Sequence, residues 1–188
     1  QIINEAWKQG VHFLVVEPAK GEYKHIFGHR KDVSVYGTNP ELTPMLRVNP
    51  FSFPKGIHIL EHLDRLIEIF NVCWPMYAAM PQVLKDSIIK SYEDLGWNID
   101  SSENEYSDNP YEEKYFPCFE DIVRNIKDII NSSEYSNDTK SDYKGALETR
   151  LKSMTTGSNG KTFTCDELSS EELFENNVII DLSDILPI

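Results

Sequence analysis

The sequence predicts an α/β protein whose small, mostly parallel sheet is interrupted by a helical insert. Three observations carry this. A helix end, "NEAWKQG", delivers the chain directly to "VHFLVVE", a β-branched and aromatic run of the kind that forms a buried strand. From Ile57 onward the apolar residues recur at helical spacing for about four successive segments. Strand character then returns in "NNVIIDLSDI" near residue 180. Helix-to-strand delivery is half of a crossover unit, which is how parallel strands are joined.

In chain order, Gly10 closes the first helix, since glycine adopts the left-handed conformation that ends helices at little cost. "VSVYG" and "LRVNPF" read as further short strands, separated by the turn signals of "TNPELTP". "IHILEHLDRLIEIFNVCW" sets Ile57, Leu60, Leu63, Ile67 and Phe70 on one stripe, and "PQVLKDSIIKSYEDLGW" does the same with Val83, Leu84, Ile88 and Tyr92. "CFEDIVRNIKDIINSS" and "SDYKGALETRLKSM" supply two more helices. Residues 100 to 115, "DSSENEYSDNPYEEKY", are acidic with no apolar period and read as a mobile loop near 100–114. The division expected is sheet strands over 1–56, the helical insert over 57–165 and a returning strand over 166–188.

Composition excludes some functions. At 188 residues, with 40% hydrophobic and 26% charged, the chain is long enough for a real core. The net charge of -13 repels phosphate backbones, which disfavours a nucleic-acid groove on this segment. No apolar run approaches the length of a membrane span, and "QIINEAWKQG" lacks the marks of a signal peptide, which points to the cytoplasm and to no membrane partner. Cys73, Cys118 and Cys165 are scattered and odd in number, and read as reduced thiols.

Two motifs need weighing. "TTGSNGKTFT" contains Gly160-Lys161-Thr162, the end of the phosphate-loop pattern G-x-x-x-x-G-K-[ST], but Thr155 stands where its first glycine belongs. A helical stretch, not a strand, enters it, so it reads as a glycine-rich turn after a helix. His58, Glu61 and His62 spell H-x-x-E-H, which would set two imidazoles on one helical face with a carboxylate as general base, a zinc-hydrolase arrangement. No distinctive third ligand follows, and the plain alternative is a wet helix edge. His25 and His29 flank Gly28 and read as loop residues.

"FLVVEPAKGEY" resembles the strand and turn after the phosphate-loop helix in HerA-like and FtsK-like translocase ATPases, a bacterial P-loop group. "LRVNPFSFPKG", "EHLDRLIEIFNVCWPMYAAMP", "KSDYKGALETRLKSMTTGSNGKTF" and "NNVIIDLSDI" follow in the order expected of that group, so the resemblance covers nearly the whole chain. It implies a partial P-loop-type sheet with an inserted helical subdomain, the phosphate loop lying upstream of Gln1 and a second acidic motif after Ile188. The whole protein is then expected to bind ATP and Mg²⁺, to form a homo-oligomeric ring and to move DNA. This segment alone is expected to bind no cofactor and to be inactive.

Within the segment, Glu17 ends the first strand, where open α/β sheets place their ligand crevice, and Lys20 and Glu22 adjoin it. Arg150 is the candidate to reach a neighbouring subunit's phosphates. Asp181 and Asp184 border the same crevice from the last strand. The competing classes are a non-catalytic interaction module using Trp74, Met76, Tyr77 and Met80, the zinc hydrolase, and a small-molecule binder.

Overall fold

The computed structural model describes residues 2–184 and divides into two compact units. One takes the chain up to Val48, Gly157–Thr162 and the residues from Glu167 on; the other takes Asn49–Thr156 and Phe163–Asp166. Ile185, the last letter of "NNVIIDLSDI", lies outside the described residues.

The first unit opens with α1 (Ile2–Lys8). Gly10, at φ 69°, ends it: the Gly10 N–H donates to Trp7 O and the Val11 N–H to Ala6 O, filling carbonyls the helix leaves free. β1 (Leu14–Glu17), α2 (Glu22–Phe27) and β2 (Val33–Gly37) follow. "LRVNPF" is not a strand. Around it the Leu46 N–H donates to Gly37 O and the Val48 N–H to Thr162 O, isolated links that form no ladder, while Pro44 and Pro50 have no N–H to offer.

The second unit holds α3 (Ile59–Cys73), α4 (Met80–Glu93), the two-residue strands β3 (Trp97–Asn98) and β4 (Glu103–Asn104), one 3₁₀ turn (Glu113–Tyr115), α5 (Phe119–Ser132) and α6 (Asn137–Met154). The unit starts at Asn49 rather than Ile57 because Phe51 and Phe53 leave the sheet unit to fill its core; Phe51 lies edge-on to Phe119 at 4.9 Å. On α4 the expected stripe of Val83, Leu84, Ile88 and Tyr92 is buried. On α3 the deepest residues are Ile59, Leu63, Leu66 and Phe70, with Ile57, Leu60 and Ile67 packed at the margin, so the apolar arc is broader than the stripe expected. Trp74 stacks on Phe70 at 5.1 Å within its own chain and Met80 is fully buried, whereas Tyr77 is exposed.

Residues 100–114 carry more structure than their composition predicts. β3 and β4 pair antiparallel, Asn98 Oδ1 accepts from the Asp100 and Ser101 N–H groups, Pro110 is buried and Tyr111 packs on Phe53 and Trp97. Amide exchange there is expected to be uneven: slower at Ser102 and Glu105, whose N–H groups bond the Asn98 and Gly96 carbonyls, than at exposed neighbours, as measured residue by residue by NMR.

The reduced-thiol reading is corrected as well. Cys118 and Cys165 form a disulfide with Cα atoms 5.5 Å apart, and Cys73 is a free, exposed thiol. Spacing along the chain hid the pair, since α5 and α6 fold back between the two positions.

The chain then re-enters the first unit through α7 (Gly157–Thr162), α8 (Ser170–Phe174) and β5 (Asn177–Asp181). Ser169 and Glu172 form a reciprocal cap that starts α8. The three longer strands make one parallel sheet in the order β1-β5-β2, so the last strand is the central one. Val178 and Ile179 are fully buried although successive side chains face opposite ways, so both faces of β5 are covered. Around Ile179 pack Phe27, Val33, Phe13 and Val15, and the Arg30 guanidinium lies 3.8 Å over the Trp7 ring, tying α1 to this core.

Candidate functional site

The register aligns the strand ends. Glu17 is opposite Asp181, and Asp181 is opposite Gly37, so the three parallel strands finish at one level. The carboxyl edge of an open α/β sheet is where ligand crevices form.

The "EPAKGEY" stretch builds the first part of this edge. Lys20 and Gly21 take left-handed conformations in succession, φ 72° and 64°, and reverse the chain so that α2 starts above the end of β1. Gly21 fits because a Cβ there would come within 2.8 Å of Ser183 Oγ. Glu17, only 6% exposed, then accepts the Glu22 N–H on Oε1 at 2.8 Å and the Tyr23 N–H on Oε2 at 3.0 Å. The first N–H groups of a helix have no partner within it, and a carboxylate is favoured at that positive end. Both Glu17 oxygens are therefore engaged in anchoring α2. Lys20 and Glu22 are exposed, and Glu22 contributes its backbone rather than its carboxylate to this contact.

Asp181 meets a residue that sequence reading missed. Lys24 Nζ lies 2.6 Å from Asp181 Oδ2 and 3.8 Å from an Asp184 carboxylate oxygen, and the Ser183 N–H donates to Asp181 Oδ1 at 3.0 Å. Burial alone would raise the Asp181 carboxyl, but hydrogen bonds from Lys24 and Ser183 outweigh it and hold the group below the ordinary range. Lys24 is raised, chiefly by its hydrogen bond to Asp181 and against the effect of burial. No local pattern marks Lys24; only the pairing of β1 with β5 brings α2 to Asp181.

The sign of the pH dependence follows. A depressed carboxyl contributes stability above its unfolded value and loses it as pH falls through the folded value; a raised lysine contributes below its unfolded value and loses it as pH rises through the folded one. The pair is worth most between those limits. Denaturation of the wild type and of Asp181→Asn is expected to differ by a constant amount around neutrality and to converge below about pH 4. A gap that persists to about pH 2 would mean that charge on Asp181 contributes nothing.

Beside this edge lies a cavity of about 740 Å³, lined by Lys24, His25 and Gly28 of α2 and by Val35 and Tyr36 of β2. Such a volume is within the range of small-molecule sites.

The other candidates are placed elsewhere. Arg150 is on α6 in the helical unit, half-buried, and its Nη1 is enclosed without a hydrogen-bond partner among the described residues. His58 precedes α3 as its N-cap: its Nδ1 accepts the Leu60 N–H and its Nε2 faces Asp100 O at 3.2 Å. His62 Nε2 faces Pro50 O at 3.0 Å, and Glu61 pairs with Arg65 at 2.6 Å. The two imidazoles are not presented together on one helical face, and among the described residues no group of three His, Cys, Asp or Glu side chains is placed to hold a metal. Gly157 to Thr162 form α7 itself, a short helix where a turn was expected, with Lys161 exposed on it. Among the described residues no helix is long and apolar enough to cross a membrane.

No family description matches the chain, and no curated protein does. Among solved structures the chain is similar to VirB4 of Thermoanaerobacter pseudethanolicus, with a TM-score of 0.63 and 16% identity over 98% of this chain and 46% of that one. The chain thus spans a little under half the length of that neighbour. The likeness is one of fold: a small parallel sheet with helices, in a mixed α/β arrangement.

Proposed function

We propose that this chain is the middle portion of a P-loop ATPase of the HerA/FtsK type, whose whole protein couples hydrolysis of ATP–Mg²⁺ to movement of DNA in the cytoplasm. The observation that carries this reading is the carboxyl edge of the sheet, where the E-P-A-K-G-E-Y turn clamps α2 onto Glu17 and Lys24 bonds Asp181. The interruption of the sheet between β2 and β5 by a helical unit, and the fold shared with VirB4 over nearly the whole chain, support it. In this reading Glu17 is a positioning residue that fixes α2, and Lys24 with Asp181 sets the wall of the nucleotide crevice. The phosphates are held by a loop outside these residues, and Arg150 serves a neighbouring subunit's site in a ring. Ile69, Val72 and Tyr77, all exposed on the helical unit, favour a contact with another subunit. The acidic segment itself stays off the DNA.

Titration calorimetry tests the nucleotide part. ATP–Mg²⁺ is expected to bind this chain no tighter than about millimolar, because the glycine-rich loop, its lysine and its Mg²⁺-holding hydroxyl are absent from it. Micromolar binding abolished by Lys161→Ala would sink the reading. The encoding frame is expected to continue upstream into G-x-x-x-x-G-K-[ST]; a frame without that motif would equally count against it.

A further inference from the structure

Cys118 and Cys165 are 47 positions apart in sequence, and the helices α5 and α6 lie between them. Cys118 caps α5: the Asp121 N–H donates to Cys118 O, and Asp121 Oδ2 accepts the Cys118 N–H at 2.9 Å. The Cys118 position is therefore fixed by helix capping whether or not the bond exists. Cys165 sits in Phe163–Asp166, four residues that group with the helical unit while the chain on both sides groups with the sheet unit. Besides the disulfide, Phe163 touches Phe119 edge-on at 5.9 Å. Both cysteines are half-buried rather than fully enclosed. Cys118 Sγ also lies 3.4 Å from Asp121 Oδ2, where a thiol S–H would find an acceptor. Both redox states thus have a place for the sulfur.

We propose that Cys118–Cys165 is a reversible thiol–disulfide latch, exchanging with a low-molecular-weight thiol of the glutathione class, that fastens residues 163–166 to the start of α5. On opening, a thiolate of the small thiol attacks one sulfur, forming a mixed disulfide and releasing the other cysteine, which takes up a proton. A second small thiolate then displaces the remaining cysteine, which is protonated in turn. Two electrons and two protons have passed to the protein, and one small-molecule disulfide has formed; closing is the reverse. When Cys118 is released, Asp121 Oδ2 is placed to accept its S–H. The open latch frees the short stretch that leads from α7 toward α8, while the sheet keeps its own bonds.

The test uses the whole chain, equilibrated with glutathione at varied thiol-to-disulfide ratios, quenched, unfolded and alkylated, with thiols counted by mass. In excess glutathione disulfide Cys118 and Cys165 are expected to carry neither an alkyl group nor glutathione, with Cys73 alone alkylated or glutathionylated, and three alkylated cysteines are expected in excess reduced glutathione without denaturant. Three thiols in both buffers, or a bond that reduced glutathione cannot open in the folded chain, would overturn the proposal. Amide exchange supplies the second measurement. Opening is expected to speed exchange over residues 163–166 by about tenfold or more and to leave β1 and β5 unchanged. Equal acceleration across β1 and β5 would show a general staple instead of a local latch, and the proposal would fail. Cys165→Ser is expected to match the reduced wild type in this exchange; if that variant does not fold, the thiol count on the wild type still decides.

Discussion

Replacing Phe51 with alanine is expected to lower the folding free energy by about 4 kcal/mol, within the range for removing a buried aromatic ring. Phe51 is fully buried, edge-on to Phe119 at 4.9 Å and tilted against Phe70 at 6.3 Å. Its backbone is held too: its carbonyl accepts the Tyr92 hydroxyl, and its N–H donates to Asn49 Oδ1 at 3.1 Å. The truncated side chain would leave a void that these bonds prevent from closing, because the backbone cannot move in to fill it. Urea denaturation of the purified chain measures the loss. Val72→Ala, at a position 83% exposed, is the comparison and is expected to shift stability by less than about 0.5 kcal/mol. Equal midpoints for the two variants would contradict the core assignment.

The second large effect is at Glu17. Glu17→Ala removes the acceptor for two N–H groups at the start of α2 in a part of the molecule that water reaches poorly, and is expected to cost about 3 kcal/mol. Glu17→Gln keeps one acceptor oxygen and is expected to lose about 1 kcal/mol, whereas Lys20→Ala, at an exposed position, loses almost nothing. An alanine variant as stable as wild type would return the carboxylate to ligand chemistry as its main task. The ordering separates anchoring from surface charge, since Lys20 and Glu17 share the same turn.

What the sequence discloses is uneven, for physical reasons. β5 is legible because a strand buried on both faces needs an unbroken apolar run, which "NVIID" supplies, and β1, with Val16 exposed, is legible from the β-branched "LVVE" itself. The α4 stripe is legible because its period holds over the full helix. "LRVNPF" misleads: its composition is that of a strand, yet its backbone bonds go singly to Gly37, Thr162 and Leu168, and its phenylalanine belongs to the other unit. At the site, Glu17 and Asp181 were legible as strand ends. Their roles were not, since Glu17 caps a helix five residues downstream and Lys24 reaches Asp181 only through strand pairing distant in sequence. The His58 and His62 pair failed by one residue of helix boundary: His58 is the cap, so its ring turns back to serve the Leu60 amide.

The strand order has a consequence for how the chain is made. β5 is the only described strand that bonds both β1 and β2, and it is the last of them to be synthesised. Until residues 177–181 emerge, neither β1 nor β2 has its partner among the described strands, and the small core that Ile179 forms with Phe27, Val33 and Val15 is incomplete. The helical unit has no such dependence on the distant end, since its core is drawn from residues 51 to 163. Emergence from the N-terminus therefore lets the helical unit gather its core while β1 and β2 still wait for β5, a state with exposed strand edges in which chains aggregate or recruit chaperones. The emergence of residues 177–181 then joins β1 and β2 through β5, with loop-closure entropy across more than a hundred residues already reduced by the folded insert.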